Sequence, residues 1–496
     1  MMAAYALAPV FPARPLGRRA RIRFVKQSLT QILLCVVPSM VAVGLDRPRV
    51  AAIYLLSALF SLQLYCIVRR NPLGATTLAV GTLPAWMLLR DYFYYTAIEV
   101  VLGLCVLAWI EGRRSDLRAV CRDRLLQSFA ALIAIYWLIA FCLTSDYSAN
   151  LRGFELLFSA MNVRLLGRHR RWLATALMGV AISVIGMGCG LLPYADRLGM
   201  ASLMGTRVGN PISFGVPAAL ALLASVTDGG RWMLMHSRPW LRIAMDLVIG
   251  LFLVLSTSRG SWLVLAVGMT IIFVLSHRQR ALIFSVLMLL VVGGALYVHF
   301  DNDNLVRNYM RETFSPEESW SKRTTGRAEQ WAAFPQVIHD SPVWGFGPGN
   351  GRRISVLYAH KNIIWHSTYL QVGAEAGLIG LSLLALLLGA IIRRAWLHYR
   401  RVGEIMPLIG IAGFMTIGVS VPAFDGLSGM FLGLALCACD FSRIYRVRWV
   451  STAANRLAAS PAEMPLPPTG NAVRLEAAGA GGPRSTTSGY LPPSAQ

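Results

Sequence analysis

The sequence predicts an all-α polytopic membrane protein with 12–14 transmembrane helices and one large external loop, and three observations carry that prediction. Hydrophobic residues make up 55% of the 496-residue chain and charged residues only 14%, where a soluble globular protein carries roughly 25% charge. Mean hydropathy is +0.54, so there are too few charges to clothe a water-exposed surface. Apolar runs long enough to cross a bilayer recur along the chain. The charge is lopsided, 47 Lys and Arg against 24 Asp and Glu for a net +23. A basic nucleic-acid binder would gather that charge on one solvated face, whereas here it is scattered between apolar runs.

A span needs about 20 mostly apolar residues, because the hydrocarbon core is about 30 Å thick. Such segments fall near 28–45, 50–68, 73–90, 92–110, 124–143, 150–166, 172–190, 212–227, 241–257, 260–276, 281–299, 367–392, 405–421 and 424–442. The segment at 150–166 is short and opens with Arg152 and Glu155. The count is 14, with 12 as the lower figure. The organisation read from this is a cytoplasmic tail over 1–27, eleven spans within 28–300, an external loop over 301–366, three spans within 367–442, and a disordered cytoplasmic tail over 443–496. That last stretch is rich in Ala, Pro, Gly and Ser and has no apolar period.

Lys and Arg between spans set orientation. With the N-terminal cluster Arg18, Arg19, Arg21, Arg23 and Lys26 in the cytoplasm, 32 of the 47 cations lie inside and 15 outside. Clusters such as Arg168, Arg170 and Arg171 are therefore topogenic. The long lead-in and the lack of a small-residue cleavage site argue against a cleavable signal peptide, so Ser28 to Leu45 reads as a retained span. The eight cysteines lie in or beside spans without a CxxC pair, and read as small core residues rather than disulfides or zinc ligands.

The outer face then carries the information. The loop at 301–366 holds Trp320, Trp331, Phe334, Trp344, Phe346 and Trp365, too aromatic for disorder. Within it, Thr325 is the expected N-cap of a helix. Arg327, Trp331, Phe334 and Ile338 are expected to share one helical face, and Asp340-Ser341-Pro342 to end it. Trp344-Gly-Phe-Gly-Pro-Gly-Asn-Gly351 follows, either a plain Gly/Pro loop or a turn whose N–H groups approach phosphate oxygens.

Arg207 lies just before the eighth span. Arg259 lies in Ser256-Thr-Ser-Arg-Gly-Ser261, a hairpin tight enough to hold the arginine at the bilayer edge. It is either a snorkelling anchor or the partner of an anion at the membrane border. His366 opens the twelfth span, where a helix N-terminus disfavours imidazolium and leaves a neutral base. His299, His339 and His360 share its side of the membrane. Gly373 and Gly377 form a GxxxG pair expected to admit a neighbouring helix, and Trp365 and Tyr369 are expected at the membrane interface. No HExxH occurs and the outer histidines lack close metal-ligand spacing, so zinc hydrolysis is disfavoured. Asp301 and Asp303 read as a solvated turn.

Ser258-Arg259-Gly260, Gly326-Arg327 with Trp331, Pro342 with Gly345-Phe-Gly-Pro-Gly349, His366-Ser-Thr-Tyr-Leu370 and Glu375-Ala-Gly377-Leu-Ile-Gly380 occur in the order seen in the bacterial O-antigen ligase and Wzy-type polymerase superfamily, which the chain resembles. One departure is Ser367, where many members have Asn, a position bearing on acceptor contacts. The resemblance implies a metal-independent glycosyltransferase of GT-C-like architecture in the bacterial inner membrane, needing no cofactor and no nucleic acid, with its large loop in the periplasm. The implied donor is a glycan on undecaprenyl diphosphate. The implied acceptor is lipid A-core for a ligase or a lipid-linked repeat unit for an O-antigen or exopolysaccharide polymerase. By position, Arg207, Arg259 and Arg327 would bind the diphosphate and His366 would activate the acceptor hydroxyl. A protein O-oligosaccharyltransferase shares that donor chemistry. A flippase for lipid-linked glycans is the contrasting class, and it calls for repeated halves and midplane polar residues.

The orientation has a direct check. In a Ser319→Cys variant the thiol is expected to react with an impermeant reagent added from the periplasmic side. Protection from that side, with reaction from the cytoplasmic side, would reverse the topology.

Overall fold

The computed structural model describes residues 18–89, 92, 97–143, 147–192, 211–228, 239–256, 258–276, 327–362, 365–420 and 426–438, all within a compact unit running over Met1–Asp440. The expected span at 281–299, residues 1–17, the tail over 443–496, and Arg207, His299, Asp301, Asp303 and Thr325 lie outside the described residues, while residues 18–27 of the expected N-terminal tail are helical and open the helix Arg18–Gly44.

Sixteen helices and no strands occur among the described residues. In chain order they are α1 (Arg18–Gly44), α2 (Pro48–Val68), α3 (Pro72–Leu88), α4 (Ala97–Gly112), α5 (Arg114–Cys121), α6 (Arg124–Leu143), α7 (Tyr147–Gly167), α8 (Arg170–Leu191), α9 (Pro211–Asp228), α10 (Pro239–Leu255), α11 (Arg259–Leu275), α12 (Ala328–Asp340), α13 (Gly351–Ala359), α14 (Thr368–Val402), α15 (Met406–Ser420) and α16 (Gly426–Leu436). The chain is an all-α polytopic membrane protein. Phe24–Gly44, Pro48–Val68, Arg170–Leu191 and Thr368–Val402 are each long and apolar enough to cross a membrane alone. Arg114–Cys121 and Arg124–Ala140, bent by 73°, make a fifth if taken as one broken span. The remaining apolar helices, such as the 11-residue α16, reach only part of the way at about 1.5 Å per residue.

Packing explains the polar residues of α7. Residues 150–166 fall within α7, whose polar side chains Glu155, Ser159 and Asn162 are buried. They face protein rather than lipid: the Gly426 N–H donates to Glu155 Oε2 at 3.3 Å and Ser159 Oγ donates to the Gly426 carbonyl at 2.7 Å. A Cβ on Gly429 would lie 2.5 Å from the Leu156 carbonyl, and one on Gly433 2.7 Å from that of Ala160. This is close small-residue packing between membrane helices. All 17 residues of α3 are buried, so its unbroken apolarity belongs to a helix enclosed by neighbours. Arg394 near the far end of α14 grips Asp123, before α6, with two bonds of 2.7 Å. Burial alone would raise the Asp123 pKa, but Arg394 and Arg164 outweigh it and lower it.

Several expectations change. Of the cysteines, Cys35, Cys66 and Cys105 are buried but Cys121, Cys142 and Cys189 are exposed. The N-cap position of α12 is occupied by Arg327, with the helix ending at Asp340 before Pro342 as expected. Its packed face is Gln330, Ala333, Phe334 and Val337, and Trp331 is exposed. Trp365 is fully buried, edge-on to Phe334 at 6.1 Å, so it is no interfacial anchor; among the described residues of this region the most exposed tryptophan is Trp344.

Gly377 does not serve a helix–helix contact. It breaks α14 at φ 60°, ψ −158°, a conformation open essentially to glycine alone. A Cβ there would lie 2.4 Å from the Val343 carbonyl oxygen. The backbone of the glycine-rich loop fills the break, with the Leu378 N–H donating to the Pro342 carbonyl at 2.8 Å. Its partner in the pair, Gly373, faces the ring of Phe334. Gly377→Ala is therefore expected to cost at least about 1–3 kcal/mol from backbone conformation alone, seen as a lower apparent Tm of the detergent-purified protein. An unchanged Tm would mean that the break is not required.

Candidate active site

Three short stretches of sequence bring basic side chains to helix N-termini. Arg259 is the first residue of α11, Arg327 is the N-cap residue of α12, and His366 lies two residues before the first residue of α14. Exposed backbone N–H groups and the helix dipole already make such ends positive. A cation there is disfavoured by about 0.3–1 kcal/mol each unless an anion joins it. Among the described residues other helices also open on cations, with Arg114, Arg124 and Arg170 at the start of α5, α6 and α8 and Arg352 and Arg353 in the first turn of α13; what sets Arg259, Arg327 and His366 apart is that their neighbours interlock.

The Arg259 hairpin is built from serines. α10 ends at Leu255 and α11 begins at Arg259, so the turn is three residues long. Ser256 Oγ donates to the Leu253 carbonyl at 2.7 Å, and the Ser258 and Ser261 hydroxyls pair at 2.7 Å. Trp262 Nε1 donates back to the Leu253 carbonyl at 3.1 Å. Gly215 of α9 packs on this cluster, where a Cβ would lie 2.5 Å from Ser261 Oγ. Arg259 itself is half-buried, and these bonds fix the backbone that presents it.

The end of α15 joins this hairpin to His366. A Cβ on Gly260 would meet Ser420 Oγ at 2.7 Å, while Ser367 Oγ donates to the Gly418 carbonyl at 3.1 Å. The neighbours of Arg259 and His366 thus rest on residues two apart on one helix. Ser367 is 4% exposed, and its hydroxyl supplies a buried helix-packing bond. Tyr369 OH donates to the Met415 carbonyl at 3.0 Å, a second tie between α14 and α15.

His366 is half-buried, unlike the exposed His339, whose ring pairs with Asp340 at 3.3 Å. His360 ends α13 in the left-handed conformation at φ 54°. Burial lowers the pKa of His366 and the charge of Arg327 lowers it further. Its backbone N–H donates to Gln330 Oε1 at 3.0 Å, and Gln330 Nε2 donates to Ser355 Oγ at 3.0 Å. The imidazole is held neutral beside a guanidinium. Among the described residues, no group of three or more His, Cys, Asp or Glu gathers to hold a metal ion.

The glycine-rich turn is where expectation and structure part. Its N–H groups do converge, but the chain supplies their acceptor, the Glu375 carboxyl. Gly349 N–H donates to Glu375 Oε2 and Gly351 N–H to Glu375 Oε1, each at 2.8 Å. Gln371 Nε2 adds a bond to Oε1 at 3.2 Å, and Tyr136 OH of α6 donates to Oε2. The Phe346 and Gly347 N–H groups go to the carbonyls of Ala374 and Glu375, both at 2.9 Å. The turn is not free for phosphate. Glu375 carried no assigned role in the sequence, because all its partners but Gln371 are 24, 26 and 239 residues away. The usable signal was a carboxylate at the level of a glycine-rich turn.

The family model described as O-antigen ligase matches residues 244–385. That segment includes Arg259, Arg327, His366 and Glu375 but not Arg207. A protein described as an O-antigen ligase from Salmonella typhimurium (strain LT2) is 32% identical over 174 residues, covering 32% of this chain and 41% of that protein. The match thus spans less than half of the relative's length.

Proposed function

We propose, from the match of residues 244–385 to the family model described as O-antigen ligase, that this membrane protein is a glycosyltransferase. It moves a glycan from undecaprenyl diphosphate to an acceptor hydroxyl at the periplasmic face of the bacterial inner membrane. The observation that carries this reading is the set of basic residues at helix N-termini, Arg259 on α11, Arg327 on α12 and His366 before α14, tied through the end of α15 and through Gln330. Arg259 and Arg327, with Arg207 by its position in the motif order, bind the diphosphate.

The chemistry follows from charge. As the bond from the sugar anomeric carbon to the diphosphate oxygen breaks, negative charge grows on the departing diphosphate. Arginines fixed at helix N-termini stabilise it by bidentate, charge-assisted hydrogen bonds near low-dielectric walls. The acceptor hydroxyl attacks the anomeric carbon and loses its proton to the neutral His366 imidazole. The donor arrives activated, so no nucleotide-binding domain is needed. Ligation to lipid A-core and polymerisation onto a lipid-linked repeat share these steps, and the same holds for transfer to a protein hydroxyl.

His366→Ala is expected to lower glycan transfer by at least about 10²-fold, the usual scale of general-base contributions, while insertion and folding persist. In the unaltered protein the acid limb of the rate profile should lie below about 6.5, the ordinary histidine value. Burial and Arg327 depress the pKa, so the base stays neutral to lower pH. Near-normal product from His366→Ala would remove the base role.

Arg259→Lys keeps the charge but loses the planar fork. It should impair transfer with a raised KM for the lipid donor, and full activity would make Arg259 a snorkelling anchor.

A further inference from the structure

The most heavily bonded ionisable group near the site, Glu375, takes no part in the transfer chemistry above. It is 1% exposed, and it lies on the membrane-spanning helix α14 just before the Gly377 break. Its two oxygens accept from donors on three parts of the chain: Gly349 and Gly351 in the loop, Gln371 on α14 and Tyr136 on α6. A burial so complete is tolerable for a carboxylate only with its lone pairs filled. An amide at this position would bring one acceptor oxygen, and its NH₂ would point at a backbone N–H.

The loop is shaped to reach this group. Gly345, Gly347 and Gly349 all have positive φ, at 66°, 91° and 84°. A Cβ on Gly351 would come within 2.4 Å of Glu375 Oε1. Gly351 is also the first residue of α13, so the carboxylate sits at another helix N-terminus.

From there a line of buried hydrogen bonds runs to the basic residues. One turn along α13, Ser355 accepts from Gln330 Nε2 at 3.0 Å, and Gln330 Oε1 accepts the His366 N–H at 3.0 Å. Gln330 and Ser355 are both 0% exposed. Gln330 stands three residues after Arg327, on the first turn of α12. Val337, Ile354, Trp365 and Ala374 close the apolar side of the same assembly.

We propose that Glu375 is a positioning residue: by filling the glycine nest it seats α12 and α13 on the bundle, and so fixes where His366 and Arg327 stand. The carboxyl group occupies the converging N–H groups and turns them into a latch between loop and membrane helix. Any bearing on transfer rests on the glycosyltransferase reading; the placement of His366 does not.

The test uses the full-length protein in lipid nanodiscs and reads His366 directly. Carbethoxylation of His366 by diethyl pyrocarbonate is followed against pH by mass spectrometry, since only neutral imidazole reacts. Arg327 is the charged side chain acting on His366 among the described residues. In the unaltered protein the midpoint is expected below about 6.5, with slow reaction. In Glu375→Gln, released α12 relieves both burial and the Arg327 charge. The midpoint should then rise toward the ordinary value and the plateau rate should increase at least fivefold. A folded Glu375→Gln protein with unchanged midpoint and rate overturns the latch.

Should Glu375→Gln fail to accumulate, Glu375→Asp keeps the carboxyl group but is one methylene short of the two N–H groups. It is expected to shift the midpoint the same way, and no shift overturns the proposal. Glycan transfer measured in parallel separates the two readings. An unaltered protein without transfer, whose His366 midpoint still moves on Glu375→Gln, would keep the latch and remove the proposed function.

Discussion

The geometry of the site depends on the Glu375 carboxyl lying in the glycine nest of the loop between α12 and α13. Two backbone N–H bonds of 2.8 Å, a glutamine amide and a tyrosine hydroxyl hold it. The loop can approach because α14 is broken at Gly377, where any Cβ would strike the loop backbone. Each feature requires the other. Without the break the loop backbone would clash with the helix, and without the carboxylate the converging N–H groups of Gly349 and Gly351 would lack their acceptor. On this base stand α12 and α13, then Gln330, then His366.

The second organising fact is electrostatic. Arg259, Arg327 and His366 each stand at or beside a helix N-terminus, the end that repels cations. The arrangement has a physical rationale as a receptor for an anion. A departing lipid diphosphate fits the requirement in charge and location, since its phosphates lie at the membrane border with its chain in the bilayer. Depression of the His366 pKa by burial and Arg327 follows from the same design. Cations that favour a diphosphate also keep the neighbouring imidazole neutral.

Much of this was legible in the sequence, and what was not has identifiable causes. Apolar length placed the helices, and Pro342 marked the end of α12 because the residue before proline avoids helical geometry. Arg259 and His366 stood out because polar residues at short turns between apolar helices are few. The packed face of α12 was misplaced by one position, since Trp331 and Gln330 are adjacent and hydrophobicity favours the wrong one; the glutamine is buried by its bonds to His366 and Ser355. Gly377 looked like half of a GxxxG pair because spacing alone does not report φ. Trp365 looked interfacial because its position beside a span hides its burial against Phe334. Apart from the Gln371 bond one helical turn away, the Glu375 bonds join residues far apart in sequence, and no local pattern encodes them.

The central claim, glycan transfer from a polyprenyl diphosphate, is tested most directly by reconstitution. The purified protein in proteoliposomes is given undecaprenyl-diphosphate glycan together with lipid A-core or a second lipid-linked repeat. The account predicts covalent transfer to at least one acceptor with release of undecaprenyl diphosphate, one addition marking a ligase and a ladder of sizes a polymerase. Movement of intact lipid-linked glycan between leaflets without a new glycosidic bond would contradict it, and would make the protein a transporter.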